Sequence, residues 1–341
     1  MQFIKPLQFN KQFRYTADMQ TKPLVKNRDE IKLAILGMVE GNGHPYSWSA
    51  IFNGYNPDAM KDCGYAAIPA YLAKQPKSTF GIPGAKITHV HCDNHDEAEH
   101  VAKASLIPHV LKNPQDAIGE VDAVLVATDI GREHVARCRP FVEAGVPVFV
   151  DKPMVDNAAD LKVFCDWVDE GKAILSSSSM RFCKEFAPYR ISTHNLGELR
   201  YVSITTPKSW ERYGIHALEA VYPILGTGFV SATHSGTTEH NIIHFSHESG
   251  AEVVVAAIYD MFGSFGDLTL AGTAGSVQVS SSDSYYSFKT QLESFIQYLQ
   301  TGERPFPWSE TVELMKMVIA GLMSREQNGR KVLLEELHDS I

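Results

Sequence analysis

Short runs rich in apolar residues punctuate the first half of the chain: 31–36, 86–92, 107–110, 122–127, 146–150 and 173–176. Runs of this length, apolar without strict alternation, read as strands buried on both faces, as in a parallel sheet. Between them, apolar positions recur at helical spacing. Helices are expected over 45–52, with Pro45 tolerable in the first turn, and over 96–104. Two more are expected over 133–144 and 157–170, with Gly145 and Gly171 as their stops. Strands alternating with helices at this spacing imply right-handed crossovers. Residues 55–85 interrupt the alternation with a helical piece near 66–73 and a Gly81-Ile82-Pro83-Gly84 turn.

The pattern changes after about residue 185. Segments 197–205, 241–247, 252–259 and 267–271 read as successive strands without intervening helices. Leu268 and Leu270, then Val277 and Val279, alternate around Gly272-Thr273-Ala274-Gly275, a hairpin signal. Helices follow near 285–299 and 309–323, with Ser309 as a cap for the second. The chain is thus expected to be α/β in its first half and an antiparallel α+β domain in its second.

Composition narrows the class. At 341 residues the chain is long enough for two domains, and 44% apolar with 21% charged residues is ordinary for a globular protein. A net charge of −9 argues against coating nucleic acid or an anionic membrane. Cys63, Cys92, Cys138, Cys165 and Cys183 are scattered and form no C-x-x-C pair, which reads as reduced thiols. The start of the chain lacks a signal-peptide core and no run approaches the length of a membrane span, so a cytoplasmic location is expected. Residues 1–30, carrying Lys5, Lys11, Arg14, Lys22, Lys26 and Arg28, read as an arm packed on the surface or on a partner subunit.

Candidate chemistry sits at the strand ends, where open α/β sheets place ligands. The run 146–150 ends in Asp151-Lys152-Pro153. A lysine held there can serve as acid, base or anion clamp, and the proline stiffens the turn; a solvated lysine is the plain alternative. Gly37-Met38-Val39-Glu40-Gly41-Asn42-Gly43-His44 lies between strand and helix. Gly37, Met38, Gly41, Asn42 and Gly43 there allow a tight turn and close approach of a pyrophosphate to backbone N–H groups. The spacing is not G-x-G-x-x-G and Glu40 adds a negative charge, so a plain strand-to-helix turn explains the glycines as well. Asp93 ends the second strand, where an acid accepts both ribose hydroxyls and repels a 2′-phosphate, favouring NAD over NADP; alternatively Asp93 and Asp96 merely start the next helix. Thr128 and Asp129 begin the loop after the fourth strand, expected to pass beside the nicotinamide ribose. The 55–85 insert joins the first helix to the second strand, so it is expected away from the phosphate edge, as a surface or assembly feature.

Taken in order, these marks resemble the Gfo/Idh/MocA family, the glucose–fructose oxidoreductase and inositol dehydrogenase group. Asp151-Lys152-Pro153 is similar to its E-K-P signature and Ala127-Thr128-Asp129 with His134 to its A-T-P…H segment. Gly214-Ile215-His216 is similar to its G-x-H helix start, and Gly272-Thr273-Ala274-Gly275-Ser276 to its G-T-x-G hairpin. The resemblance spans roughly residues 31–335. It implies an N-terminal Rossmann dinucleotide-binding domain, here 31–153, and a C-terminal α+β domain, 154–341, on an open, mostly antiparallel sheet, with the last helices packing back on the Rossmann domain. It also implies a homodimer or homotetramer formed through that sheet, and NAD(P)-linked chemistry on a small sugar, polyol or related carbonyl compound. By it Lys152 contacts the substrate hydroxyl and the nicotinamide ribose, Asp151 and His134 contact the cofactor, and His216 sits across the substrate. One departure stands out: family dehydrogenases carry an acid four residues before that histidine, where this chain has Arg212 beside Glu211. Either the acid is relocated, or the substrate is an anion held by Arg212, or the reaction differs.

In the expected reaction His216 or Lys152 takes the hydroxyl proton while the other holds the oxygen. Histidine suits the base role by its ordinary pKa, although His216 heads an apolar run and could equally be a packed helix-start residue. Trp210, Tyr213 and Glu219 are expected to line the substrate pocket, and Arg181 either reaches the substrate or forms a surface ion pair. His89, His91, His95 and His100 close no tetrahedral set, and no metal is expected. Two other functions share this scaffold: an NAD-using hydrolysis or epimerisation without net redox, and a catalytically silent ligand sensor or scaffold.

Overall fold

The computed structural model describes residues 22–337. Strands β1 (Ile31–Leu36), β2 (Ala85–His91), β3 (His109–Val110), β4 (Ala123–Val126), β5 (Val148–Val150) and β6 (Ile174–Ser176) form one sheet in the order β3-β2-β1-β4-β5-β6. All its neighbours are parallel. The order reverses between β1 and β4, so a crevice opens at their carboxyl ends. The connections carry α1 (His44–Asn53), α2 (Pro57–Met60), α3 (Ala67–Leu72), α4 (His95–Ala104), α5 (His134–Glu143) and α6 (Ala158–Asp169). Helix starts follow the expected chemistry: the Asn94 and Asn157 side chains accept from the N–H groups of Asp96 and Asp160.

Alternation across the strands fills a core on each face. Leu33, Ile35, Leu125 and Phe149 pack with Trp48 and Ile51 of α1. Leu36, Val124, Val126 and Val150 pack with Phe141 of α5 and Phe164 of α6 on the other side. Because β6 pairs with β5, the first sheet continues to Ser176, past the division expected at Pro153.

Beyond it come α7 (Ala187–Ile191), β7 (Leu199–Pro207), α8 (Ile215–Leu225), β8 (Phe229–Gly236), β9 (His240–His247), β10 (Glu252–Ile258), β11 (Asp267–Gly272), β12 (Ser276–Ser280), α9 (Ser284–Thr301), α10 (Trp308–Glu326) and β13 (Val332–Leu333). The strands form a second sheet ordered β12-β11-β7-β10-β9-β8-β13. It is mixed: every pair is antiparallel except β7 with β10. The β11–β12 hairpin has the expected register, Leu270 opposite Val277. Two expectations fail. Helix α8 interrupts the supposed run of strands, and β8 carries Ser231, Thr233, His234 and Ser235, too polar to stand out as a strand. The second of the last helices starts at Trp308 after Pro307, with no cap from Ser309. Helix α9 contributes Leu292 and Phe295 to the core around β1 and α1, with Phe295 5.3 Å from Phe149 between ring centroids.

The 55–85 insert turns back toward the crevice. A Cβ on Gly43 would lie 2.5 Å from Ile68 and 2.9 Å from Tyr65, so the insert packs directly on the glycine-rich turn, contrary to the side expected for it. The topology placed its ends correctly, but the segment is long enough to double back. Of the N-terminal arm, residues 22–30 lie along α9, where the Leu24 N–H donates to Leu299 O at 2.8 Å. The rest of the arm falls outside the described residues.

One close approach holds the strand ends in register. A Cβ on Gly131, just after β4, would lie 2.7 Å from the backbone of Val155 and Asp156. Backbone cannot yield as a side chain can, so Gly131→Ala is expected to destabilise the protein by about 1–3 kcal/mol. Urea unfolding reads this; a change within about 0.5 kcal/mol, the range of indifferent surface substitutions, would contradict it.

Candidate active site

Three loops meet at the carboxyl edge of the first sheet: the glycine-rich turn after β1, Thr128-Asp129 after β4, and Asp151-Lys152-Pro153 after β5. Asp151 joins them. Its Oδ2 accepts from Asn42 Nδ2 at 2.8 Å and from His44 Nδ1 at 2.6 Å, and its Oδ1 accepts the Lys152 N–H at 2.7 Å. Asn42 Nδ2 also donates to Ala127 O at 3.2 Å. Asn42 therefore has a structural task beyond the turn. His44 was missed in the sequence; its ring stacks on Trp48 at 4.5 Å and is pinned by Asp151.

Lys152 is 2% exposed. Its Nζ lies 3.4 Å from Asp129 Oδ2 and 4.7 Å from the centroid of the Tyr213 ring. Burial works against the ammonium charge, but Asp129 and Asp151 outweigh it and hold the Lys152 pKa above its ordinary value. Burial likewise works against the Asp129 carboxylate, and Lys152 with Arg212 keeps its pKa below the ordinary range. Arg212 NH2 donates to Asp129 Oδ1 at 2.6 Å. The expected site lysine is thus an ammonium inside a charge cluster, not a solvated surface group.

The second domain supplies the opposite wall. Trp210–Gly214 forms a π-helical turn leading into α8, a rare geometry that changes the phase of successive side chains. It sends Trp210 inward and Arg212 and Tyr213 toward the crevice. Trp210 is fully buried, donates from Nε1 to Val318 O at 2.9 Å, and abuts Gly214 and Gly321. It is a core residue, and the pocket-lining role expected for it is withdrawn. His216 stands on the first turn of α8 with Nδ1 2.7 Å from Ser178 Oγ; Tyr213 and Phe265 flank its ring at 4.7 and 5.2 Å. Burial, then the nearby Lys152 charge, pushes its pKa well below the usual histidine value. His216 is neutral near pH 7.

Arg181 and Glu219 are buried against each other, with Arg181 Nε donating to Glu219 Oε2 and NH1 to Glu310 Oε2 at 2.7 Å. Glu219 also accepts the Ser178 N–H at 3.1 Å. The arginine forms a buried ion pair, not the surface pair weighed for it. The pair braces Ser178 and hence His216. His134 is also fully buried, with Nδ1 2.9 Å from Met154 O and Nε2 3.1 Å from Thr128 Oγ1. It ties the loops after β4 and β5 together and cannot touch a ligand, contrary to the cofactor contact expected of it.

Gly37 fits a dinucleotide turn: its φ is +83°, and a Cβ would lie 2.7 Å from Thr128 Cγ2. Behind it a cavity of about 220 Å³ is lined by Leu36, Gly37, His91, Val126 and Arg137. Asp93 binds the lining Arg137 through both oxygens, at 3.0 and 2.6 Å, which lowers the Asp93 pKa. Arg137, unnoticed in the sequence, stands where the acid was expected to act alone. The Asp93 carboxylate stays half exposed and retains accepting capacity toward a ribose. These residues fit an adenosine ribose beside Gly37. Met38 and Gly41 border the turn on its other side, facing Tyr65 and Asp96. No cluster of metal-ligating side chains occurs among the described residues, and none of their helices is long and apolar enough to cross a membrane.

Residues 62–179 match the model of the Gfo/Idh/MocA oxidoreductase family, described by its NAD-binding Rossmann fold. The match begins after the glycine-rich turn. No curated protein matches the chain. Among solved structures, the chain is similar to a probable dehydrogenase from Thermotoga maritima, at 16% identity and a TM-score of 0.69 over 90% of this chain and 100% of that one. It is also similar to scyllo-inositol dehydrogenase from Lactobacillus casei, at 12% identity and a TM-score of 0.72 over 91% and 100%. A third is an oxidoreductase from Agrobacterium radiobacter, in complex with NAD+, L-tartaric acid and magnesium, at 15% identity and 0.69 over 90% and 99%. At these identities the likeness is one of fold, and it extends through both domains.

The depressed pKa of His216 has a consequence for stability. The unfolded chain takes up a proton near the ordinary histidine pKa that the buried ring refuses, so stability present above about pH 6.5 declines as pH falls. The advantage of the wild type over His216→Gln is expected to shrink by on the order of 1 kcal/mol per pH unit below that point. Urea midpoints at pH 7.5, 6.5 and 5.5 measure it, and a pH-independent difference would show that the ring titrates normally in the fold.

Proposed function

From the match to the Gfo/Idh/MocA oxidoreductases, we propose that this protein is an NAD(P)-dependent dehydrogenase acting on a hydroxyl or carbonyl carbon of a small sugar, polyol or related compound. The carrying observation is the pairing across one crevice of a buried ammonium, Lys152, with a buried neutral imidazole, His216. The nicotinamide cofactor supplies hydride exchange when bound. The protein's own groups do the proton work.

Lys152 is fixed as a cation by Asp129 and Asp151, so it donates to a substrate oxygen and stabilises negative charge developing there. It is not the base. That role falls to His216. The base role uses the tautomer in which Nδ1–H donates to Ser178 Oγ, 2.7 Å away, leaving the Nε2 lone pair for the substrate hydroxyl; Glu219 with Arg181 holds Ser178 in place. A base with a depressed pKa is always in the accepting form near pH 7, though it is a weaker acceptor than one matched to that pH. Tyr213 packs against Lys152 and His216 and fills the wall between them. Arg212 is engaged by Asp129, which supports reading the missing family acid as relocated to Asp129, held between the lysine and the arginine.

Lys152→Ala and His216→Ala are each expected to lower kcat by about 10²- to 10⁴-fold in a panel of polyols and sugars assayed by NADH formation. For the wild type, kcat/KM for oxidation should stay level from pH 8 down to about 6.5, the ordinary histidine value. A fall centred at or above that value would remove His216 from the base role. Cofactor that survives purification and cycles without net NADH would instead support hydrolysis or epimerisation on the same site.

A further inference from the structure

We propose that Lys208 and Arg212, reaching over from the second domain, form a two-cation clamp for the pyrophosphate of the dinucleotide. This rests on the dehydrogenase reading above and assigns the phosphate contacts within it.

The usual source of phosphate contacts, backbone N–H groups at the start of the first helix, is spent in this chain. The His44 N–H donates to Asn42 Oδ1 at 3.0 Å, Pro45 has no N–H, and the Tyr46 N–H donates to Gly43 O at 3.1 Å. The turn instead presents carbonyl oxygens outward, and two cations meet them. Lys208 Nζ donates to Gly41 O at 2.8 Å, and Arg212 NH2 to Glu40 O at 2.9 Å. A neutral carbonyl is a poor partner for the full charge of Lys208, whereas the same Arg212 NH2 is shared with Asp129 Oδ1 at 2.6 Å; a phosphate oxygen makes shorter and stronger bonds with the amine and adds a second anionic partner to the guanidinium.

Further observations single out this pair. Lys208 has no carboxylate within ion-pair distance among the described residues; its other contact is the Tyr213 hydroxyl at 2.7 Å. Its backbone φ is +61°, a left-handed conformation uncommon for a residue with a side chain. The buried Nε of Arg212 has no hydrogen-bond partner. Charge also selects the side of the turn. Across it, Asp62, Asp96 and Glu97 join Glu40 around an acidic basin that repels phosphate, whereas Lys152, Lys208 and Arg212 gather on the crevice side with Asp129 and Asp151.

The test is calorimetric titration of NAD, NADP, adenosine and inorganic pyrophosphate into the wild type, Lys208→Met and Lys208→Gly. Glycine accepts the left-handed backbone, so Lys208→Gly removes the amine from a chain that still folds even if the methionine variant does not. Both variants should weaken NAD by about tenfold to a hundredfold and flatten the salt dependence of its binding, while adenosine binding is unchanged. NAD binding equal in wild type and variants would overturn the clamp and leave the dehydrogenase reading intact. A wild type that ignores both NAD and NADP but binds pyrophosphate, with that binding lost in both variants, would keep the clamp as an anion site and overturn the dehydrogenase reading. Binding of no dinucleotide and no pyrophosphate would overturn both.

Discussion

A lysine charge almost wholly removed from water is the constraint around which this molecule is arranged. Desolvating an ammonium costs several kcal/mol unless opposite charge is held close. For Lys152 the compensation comes from Asp129 and Asp151, each at the end of a neighbouring parallel strand. The strand order brings those ends together, and lesser contacts keep them there. His134 bridges Thr128 and Met154, Gly131 lets two backbones touch, and Asn42 ties Asp151 to the end of β4. Several residues that look like ligand contacts in the sequence therefore serve the lysine instead.

The same charge couples the domains. Arg212 completes the shell of Asp129 from the far side of the crevice, and Tyr213 covers Lys152 with its ring face. Both ride on the π-helical turn that buries Trp210, so one irregular turn fixes the second domain and presents its functional side chains. His216 follows directly on α8, and the Lys152 charge adds to burial in keeping its ring neutral. In the proposed dehydrogenase, an ammonium beside a neutral imidazole would divide acid from base without either group being exposed.

Legibility in the sequence followed burial. Strands buried on both faces are continuous apolar runs, so the first sheet was readable, as was Asp151-Lys152-Pro153, which ends one of them. The second sheet was less so, because β8 alternates small and polar residues and the parallel pairing of β7 with β10 depends on contacts far apart in the chain. Orientation was the main loss. Nothing local distinguishes an inward Trp210 from an outward Tyr213 three residues on, since an ordinary helical phase does not apply there. His134 looked like a ligand contact because its motif sits beside one. Lys208 carried no signal at all: a left-handed lysine is not written in propensity, and its role emerges only when the second domain is set against the glycine-rich turn.

The central claim is that Lys152 is a permanent ammonium held by Asp129, and it can be measured on the residue itself. With 13C-labelled lysine, the Lys152 Cε resonance, assigned by its absence in Lys152→Met, is followed by NMR against pH in the wild type and in Asp129→Asn. In the wild type the resonance is expected not to titrate up to the ordinary lysine value of about 10.4, and in Asp129→Asn the transition is expected at lower pH. Deprotonation of the wild-type lysine near neutral pH would mean that Asp129 does not hold it as an ammonium and would return Lys152 to the role of base.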